Sequence, residues 1–222
     1  MAAAPRRFPI AGGSVAGALH APHDPALGVT FVLAHGAGTN MDHAFLVEVA
    51  ARLAARGLAV LRFNFPYTAR GDRAPDRAPV LEACYRDVLS QVRADSQLGA
   101  GRLVIGGKSM GGRMASHLAA AGESVDGLVF LGYPLHPAGR PQQLRDAHLP
   151  RIQAPMLFLT GTRDALCPLE TLRPVLARLP RATLHVVEDG DHSFAVRKKS
   201  GRTADEVMDE LADATVGWVA TI

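Results

Sequence analysis

The stretch "RLVIGGKSMGGRMASHLAAAG", residues 102–122, decides the fold, because it supports two incompatible readings. Gly107-Lys108-Ser109 ends like a phosphate-binding P-loop, whose pattern is G-x-x-x-x-G-K-[ST]. Gly107 to Gly111 also spell G-x-S-x-G, the sharp strand-to-helix turn that presents a nucleophilic serine. Counting separates the two. The first P-loop glycine belongs at position 102, which is Arg102; Gly101 misses by one and precedes the apolar run. "RLVI" is strand-like and fills the place where a phosphate-wrapping loop has to be. The serine turn meets no such obstacle: an apolar strand runs into Lys108-Ser109-Met110, and a helical pattern begins at once. Glycines at 107 and 111 keep side chains out of a turn in which strand and helix cross closely.

A five-residue glycine pattern is short, and a plain Gly-Ser turn also satisfies it, so partners decide. Around it, apolar runs alternate with amphipathic ones. "VTFVLAHG" (29–36), "LAVLRFNF" (58–65), "RLVIGG" (102–107), "GLVFLGYP" (127–134), "PMLFLTGT" (155–162) and "ATLHVVE" (182–188) read as strands. "DHAFLVEVAARLAARG", "VLEACYRDVLSQVRAD", "MGGRMASHLAAAG", "LETLRPVLARL" (with Pro174 inside) and "ADEVMDELADATVGWVA" read as helices. In the first of these, Asp42 is the expected N-cap and Gly57 the stop. "FPI", "AGG" and "SVAGALHAP" add a hairpin. The expected architecture is α/β: about eight strands in a mostly parallel sheet with helices on both faces, one domain over 1–222. In such sheets functional residues gather beyond the carboxyl ends of the strands.

Those ends supply the partners. "PMLFLTGTRD" delivers Asp164, and "LHVVEDGDHSF" delivers His192 ahead of the last helix. The order Ser109, Asp164, His192 is the one a strand-turn-helix nucleophile requires. The three are the candidate catalytic triad: Ser109 nucleophile, His192 base, Asp164 its orienting acid. Asp189 and Asp191 are weaker candidates for the acid, and Asp191, adjacent to His192, reads as a turn residue. Oxyanion donors are the backbone N–H of Met110 and, from "LAHGAGTN", that of Ala37. Gly36, Gly38, His43, Tyr67 and Tyr133 lie near strand ends as candidate pocket lining. His35 reads as structural, Cys167 as packing, and Lys108 as solvent-facing.

Bulk composition narrows the classes. A net charge of +3, from 24 basic and 21 acidic residues, is too mild to argue for nucleic acid. Two cysteines outside any C-x-x-C or Cys/His cluster argue against a disulfide framework or metal site, and no cofactor is expected. No run approaches the ~18 apolar residues of a membrane span. Pro9, Gly12, Gly13 and Ser14 interrupt what could pass for a signal peptide, so the expectation is a cytoplasmic protein without membrane or nucleic-acid partners.

With "AHGAG", "GKSMGG", "GTRD" and "GDHSF" in place, the chain resembles an α/β-hydrolase, and more narrowly the small dienelactone-hydrolase-like proteins. "AHGAGTNMDH", "RFNFPY", "GGKSMGGR", "GYPLHP" and "DHSFAV" look similar to a branch that includes a eukaryotic chromatin-complex subunit and a testis-expressed hydrolase-like protein. The resemblance implies the fold and serine-hydrolase chemistry on a small acyl ester or thioester. Dienelactone hydrolase itself uses a cysteine where this chain has Ser109, so its substrate does not carry over. The branch also contains members that act as interaction modules, and the rival reading is a binding or scaffold protein on the same fold. The connection from Tyr133 to Pro155 is short, so the expected site is open, with a minimal cap or none.

Overall fold

Eight strands form one sheet, in the order β1-β2-β4-β3-β5-β6-β7-β8. The computed structural model describes residues 3–23 and 25–222. β1 (Ala4–Ile10) and β2 (Gly13–His20) are the N-terminal hairpin, joined antiparallel to the rest. The other six run parallel: β3 (Val29–Ala34), β4 (Ala59–Phe63), β5 (Arg102–Lys108), β6 (Gly127–Leu131), β7 (Met156–Gly161) and β8 (Ala182–Val187).

Parallel strands need crossovers, and the crossovers here are helices that cover both faces. α1 (Ala44–Ala55) and α6 (Ala204–Val219) cover one face, meeting Phe31, Leu33, Val104, Val129 and Leu157. α3 (Ala78–Ala94), α4 (Met110–Ala120) and α5 (Leu169–Leu176) cover the other, over Val32, Ile105, Phe130 and Phe158. Successive strand residues therefore enter opposite cores, which is why these strands read as unbroken apolar runs rather than as alternations.

Local chemistry sets the boundaries. α6 begins on a capping box: Thr203 accepts from the Glu206 N–H, and the Glu206 carboxylate accepts from the Thr203 N–H. α1 departs from expectation. Its N-cap is His43, while Asp42 turns its carboxylate toward Arg62, 3.3 Å away. The loop after β4 also holds a one-turn helix, α2 (Pro66–Ala69), started by Pro66, whose fixed φ suits a first helical position. Between β6 and β7 the only helical structure among the described residues is a single turn at Leu149–Arg151, so the carboxyl edge of the sheet is left largely open. No described helix is long and apolar enough to cross a membrane.

The tightest place in the fold is where β5 turns into α4 against the end of β3. A Cβ at Gly107 would stand 2.3 Å from the Ala34 carbonyl oxygen, and one at Gly111 2.4 Å from the same atom. Gly111→Ala is expected to destabilise the chain by about 2 kcal/mol or more, because the obstacle is backbone. Gly217→Ala, in α6 with nothing within 4 Å of its Cβ position, is expected to stabilise it by roughly 0.5–1 kcal/mol. Denaturant midpoints of the two variants check both signs.

Candidate active site

Ser109 sits at the N-cap of α4 with φ 50° and ψ −112°, a conformation that non-glycine residues avoid. Such strain costs of order 1–3 kcal/mol and persists where surrounding structure enforces it. Here the enforcement is visible. The Ser109 N–H donates to the Leu131 carbonyl at 3.1 Å, and the glycines on either side let the turn press against β3. From α3, the buried Tyr85 hydroxyl reaches the Val32 and Gly106 carbonyls at 2.7 and 2.9 Å and accepts from the Gly106 N–H at 3.0 Å. That ties β3 and β5 together just ahead of the turn.

The side chains beyond β5, β7 and β8 meet. His192 Nε2 lies 2.9 Å from Ser109 Oγ, and His192 Nδ1 lies 2.9 Å from both carboxylate oxygens of Asp164. The Asp164 side chain is fully buried and its Oδ1 also accepts the Leu166 N–H at 2.8 Å. A buried carboxylate beside Nδ1 selects the tautomer that carries its proton there, which leaves Nε2 free to accept from Oγ. To reach Ser109 from β8, the His192 loop passes over the end of β6. Gly132 permits the crossing: its φ is +68°, and a Cβ there would lie 2.9 Å from Lys108 Nζ and 3.2 Å from the His192 carbonyl oxygen.

The two weaker acids are engaged elsewhere. Asp189 is held by the Arg197 guanidinium and backbone N–H, and its pKa falls to about 2, chiefly through that side-chain hydrogen bond. Asp191 accepts from the Ser193 and Ala195 N–H groups, a turn residue as its position suggests. Asp189 and Phe194, at φ 57° and 63°, join Ser109 as the non-glycine positive-φ residues among those described, so backbone strain collects at Ser109 and the loop that carries His192.

Met110 opens α4, and the first N–H groups of a helix have no acceptor within it. Among the described residues, the Ala37 N–H donates to no backbone or side-chain acceptor either. Behind it, His35 holds the loop: its Nε2 accepts the Phe65 N–H at 3.1 Å and its Nδ1 faces the Gly36 carbonyl at 2.9 Å. Burial lowers the His35 pKa to about 4, so the ring is neutral near neutral pH.

Two cavities flank Ser109 and share Ala37 and Leu166 as walls. One, about 340 Å³, lies on the His192 side and is lined by Gly36, His43, Phe45, Leu46 and Lys108 among others. The second, about 310 Å³, lies on the Met110 side. A larger cavity, about 590 Å³, sits between the β1–β2 hairpin and α3 and is lined by none of the triad candidates.

Several expectations change. Tyr67 and Tyr133 are not pocket walls: both are buried inward. The Tyr67 hydroxyl donates toward the Gly36 and Thr39 carbonyls, and Tyr133 packs on Phe130 and Phe158 while its hydroxyl donates to the Arg145 carbonyl at 2.8 Å. Gly38 makes an exposed turn at φ 71° and lines neither cavity beside Ser109, whereas Gly36 and His43 do line one. Lys108 does not face solvent. Its Nζ donates to the His192 carbonyl at 2.5 Å and lies 5.6 Å from the centre of the Phe194 ring, which stacks on Phe45. Burial lowers its pKa to about 8, against the opposing pull of Asp164 and Asp191. Phe45, Leu46 and Leu166 at the site escape sequence reading, because only helical phase and loop path bring them to the opening. Both cysteines are free and buried, and burial raises each thiol to about 12. No cluster that could hold a metal ion occurs among the described residues.

Residues 28–220 match the α/β hydrolase domain family. The chain belongs to that family. The fold of this α/β hydrolase is shared by a serine hydrolase without a lid from Xanthomonas campestris, at 22% identity over 98% of this chain and 95% of that one, with a TM-score of 0.76. It is shared too by dienelactone hydrolase from Anabaena variabilis, at 20% identity over 99% and 97% with a TM-score of 0.77. Est1E from Butyrivibrio proteoclasticus matches at 14% identity over 99% and 100% with a TM-score of 0.74.

One buried and one half-buried histidine predict how the chain responds to acid. His35 and His148 have folded pKa values of about 4, both through burial first, against 6.5 for a free imidazole. As pH falls from 6.5 toward 4, the unfolded chain takes up protons that these rings refuse in the fold, so stability decreases across that window. Urea midpoints measured from pH 7 to pH 4 check this, and His35→Asn is expected to flatten the profile.

Proposed function

We propose that this α/β hydrolase is a serine hydrolase that cleaves small acyl esters or thioesters through Ser109, His192 and Asp164. The observation that carries the reading is the continuous chain from Ser109 Oγ through His192 to buried Asp164, at 2.9 Å per step. It ends at a strained turn flanked by the Met110 and Ala37 N–H groups. The relatives described above as serine hydrolase and dienelactone hydrolase support the reaction class; the similarity of the quoted strings supports the narrower branch.

In this mechanism Oγ attacks the acyl carbonyl carbon while His192 Nε2 takes its proton. Asp164 steadies the imidazolium through Nδ1. The carbonyl oxygen becomes an oxyanion between the Met110 and Ala37 N–H groups, aided by the N-terminus of α4. As the intermediate collapses, His192 returns the proton to the leaving alcohol or thiol, and the acyl group remains on Ser109. Water, deprotonated by His192, then releases the acid and restores Ser109. The open edge of the sheet leaves this chemistry accessible to small substrates. The scaffold reading differs in one respect that can be measured: it needs no reactive serine.

A fluorophosphonate probe is expected to label the chain, and labelling is expected to vanish in Ser109→Ala while the circular dichroism stays native. Asp164→Asn is expected to reduce kcat on a 4-nitrophenyl ester by roughly 10⁴-fold, because it offers His192 the wrong hydrogen-bonding partner. Absent labelling of well-folded protein favours the scaffold.

A further inference from the structure

The cavity on the Met110 side of Ser109 is chemically unlike its neighbour. Four buried side-chain polar atoms among the described residues have no hydrogen-bond partner, and three of them belong to residues lining this one cavity: Arg113 Nε, His136 Nε2 and Asp76 Oδ2. Buried polar atoms are ordinarily paired, so three exceptions around one cavity beside Ser109 leave hydrogen-bonding capacity there for water or a ligand to meet. Arg145 lines the same cavity. The groups that act electrostatically on Arg145 are Arg113 and the Tyr133 phenol; no carboxylate is among them, and burial with the Arg113 charge lowers its pKa. Two nearby acids pair with other arginines: Asp76, in the cavity wall, through Oδ1 with Arg70 at 2.6 Å, and Asp146 with Arg178 at 2.8 Å. Two guanidiniums thus line one small cavity, neither in an ion pair among the described residues, while the carboxylate of that cavity, Asp76, is held by Arg70. His148, close to Arg113 and His117, is neutral near pH 7 and adds no further charge.

The direction of the reaction assigns this cavity to one half of the substrate. His192 delivers its proton to the leaving group, so the leaving alcohol lies in the cavity that His192 lines, beside Phe45 and Leu46. The acyl chain continues from the carbonyl carbon to the other side, past Met110 and Leu166 toward Arg113 and Arg145. We infer that the acyl half of the substrate is short and carries a carboxylate, bound between Arg113 and Arg145; this rests on the serine-hydrolase reading above. A guanidinium pair suits the planar, two-oxygen geometry of a carboxylate. Asp76 Oδ2 and His136 Nε2 restrict where negative charge can sit. The first is an acid oxygen, and the second is an acceptor because Nδ1, 2.9 Å from the Pro137 carbonyl, holds the ring proton. One carboxylate against the arginines fits such walls, and a phosphate with its several charged oxygens does not. The volume, about 310 Å³, admits a chain of a few carbons.

The test compares 4-nitrophenyl hemisuccinate with 4-nitrophenyl butyrate, of matching chain length, on the full chain. The expected kcat/KM ratio is about tenfold or more in favour of hemisuccinate, the scale of one charge-assisted hydrogen-bonded pair. Arg113→Gln and Arg145→Gln are each expected to bring that ratio close to one, with Arg113→Lys recovering part of it. A ratio at or below one in the unaltered chain, or an unchanged ratio in both Gln variants, overturns the inference. Calorimetric titration of Ser109→Ala with monomethyl succinate separates the subsite from the chemistry. Binding that is lost on adding Arg113→Gln supports the subsite even if no ester is turned over. Absent binding, or tighter binding of inorganic phosphate than of monomethyl succinate, overturns it.

Discussion

The carbonyl oxygen of Ala34 is the fixed point of this molecule. β5 and the first turn of α4 both close on it, at distances that exclude any side chain at positions 107 and 111. That approach forces Ser109 into a positive-φ conformation and lifts its hydroxyl clear of the sheet edge. It also brings the loop after β3, with the Ala37 N–H, beside the first N–H of α4. Removing the close approach would relax the strain and separate Ser109 from the Met110 and Ala37 N–H groups at once. The cost of strain, of order 1–3 kcal/mol, is offset by packing of two cores on the same central strands.

Around that point the charged groups are arranged by burial. Asp164 is wholly enclosed and accepts hydrogen bonds from His192 and the Leu166 N–H, so the buried carboxylate is hydrogen-bonded on both counts. Asp189 and Asp191, the weaker candidates in the sequence, are drawn off by Arg197 and by turn amides. Lys108 closes the assembly from beneath the histidine loop, and Gly132 makes room for it. On the far side of Ser109 the balance reverses: among the described residues Arg113 and Arg145 form no ion pair, and Arg113 Nε, His136 Nε2 and Asp76 Oδ2 have no hydrogen-bond partner. One edge of one sheet thus separates the hydrogen-bonded chain Ser109–His192–Asp164 from a region of unmet hydrogen-bonding capacity.

How much of this was legible in the sequence depends on distance along the chain. The elbow is local: strand, glycines, serine and helix lie within 21 residues, from Arg102 to Gly122, and their order is enough to reject a P-loop. The sheet, the hairpin and the open edge followed from unbroken apolar runs and a short connection between β6 and β7. Asp164 and His192 could be named because a parallel sheet brings strand ends together whatever their sequence separation. The direction in which a side chain turns is not encoded in this way. Tyr67 and Tyr133 leave strand ends as expected, yet rotate into the core because carbonyls of Gly36, Thr39 and Arg145 wait there for their hydroxyls. Lys108 finds a partner 84 residues on, and Asp42 gives up its cap to Arg62, a competition no local pattern reveals. The Arg113–Arg145 cavity was invisible for the same reason: one arginine is on α4 and the other in the irregular connection before β7.

If Ser109 carries the acyl group, activated by His192 83 residues further along the chain, the adduct can be caught on the protein. The most direct measurement is intact-mass and peptide-mass analysis after rapid acid quenching of the protein with excess 4-nitrophenyl acetate. The account predicts one acetyl group, on the peptide that contains Ser109, formed in step with the burst of nitrophenol and missing in His192→Ala. Ester turnover with no adduct on Ser109, or an adduct that forms equally well without His192, would contradict it.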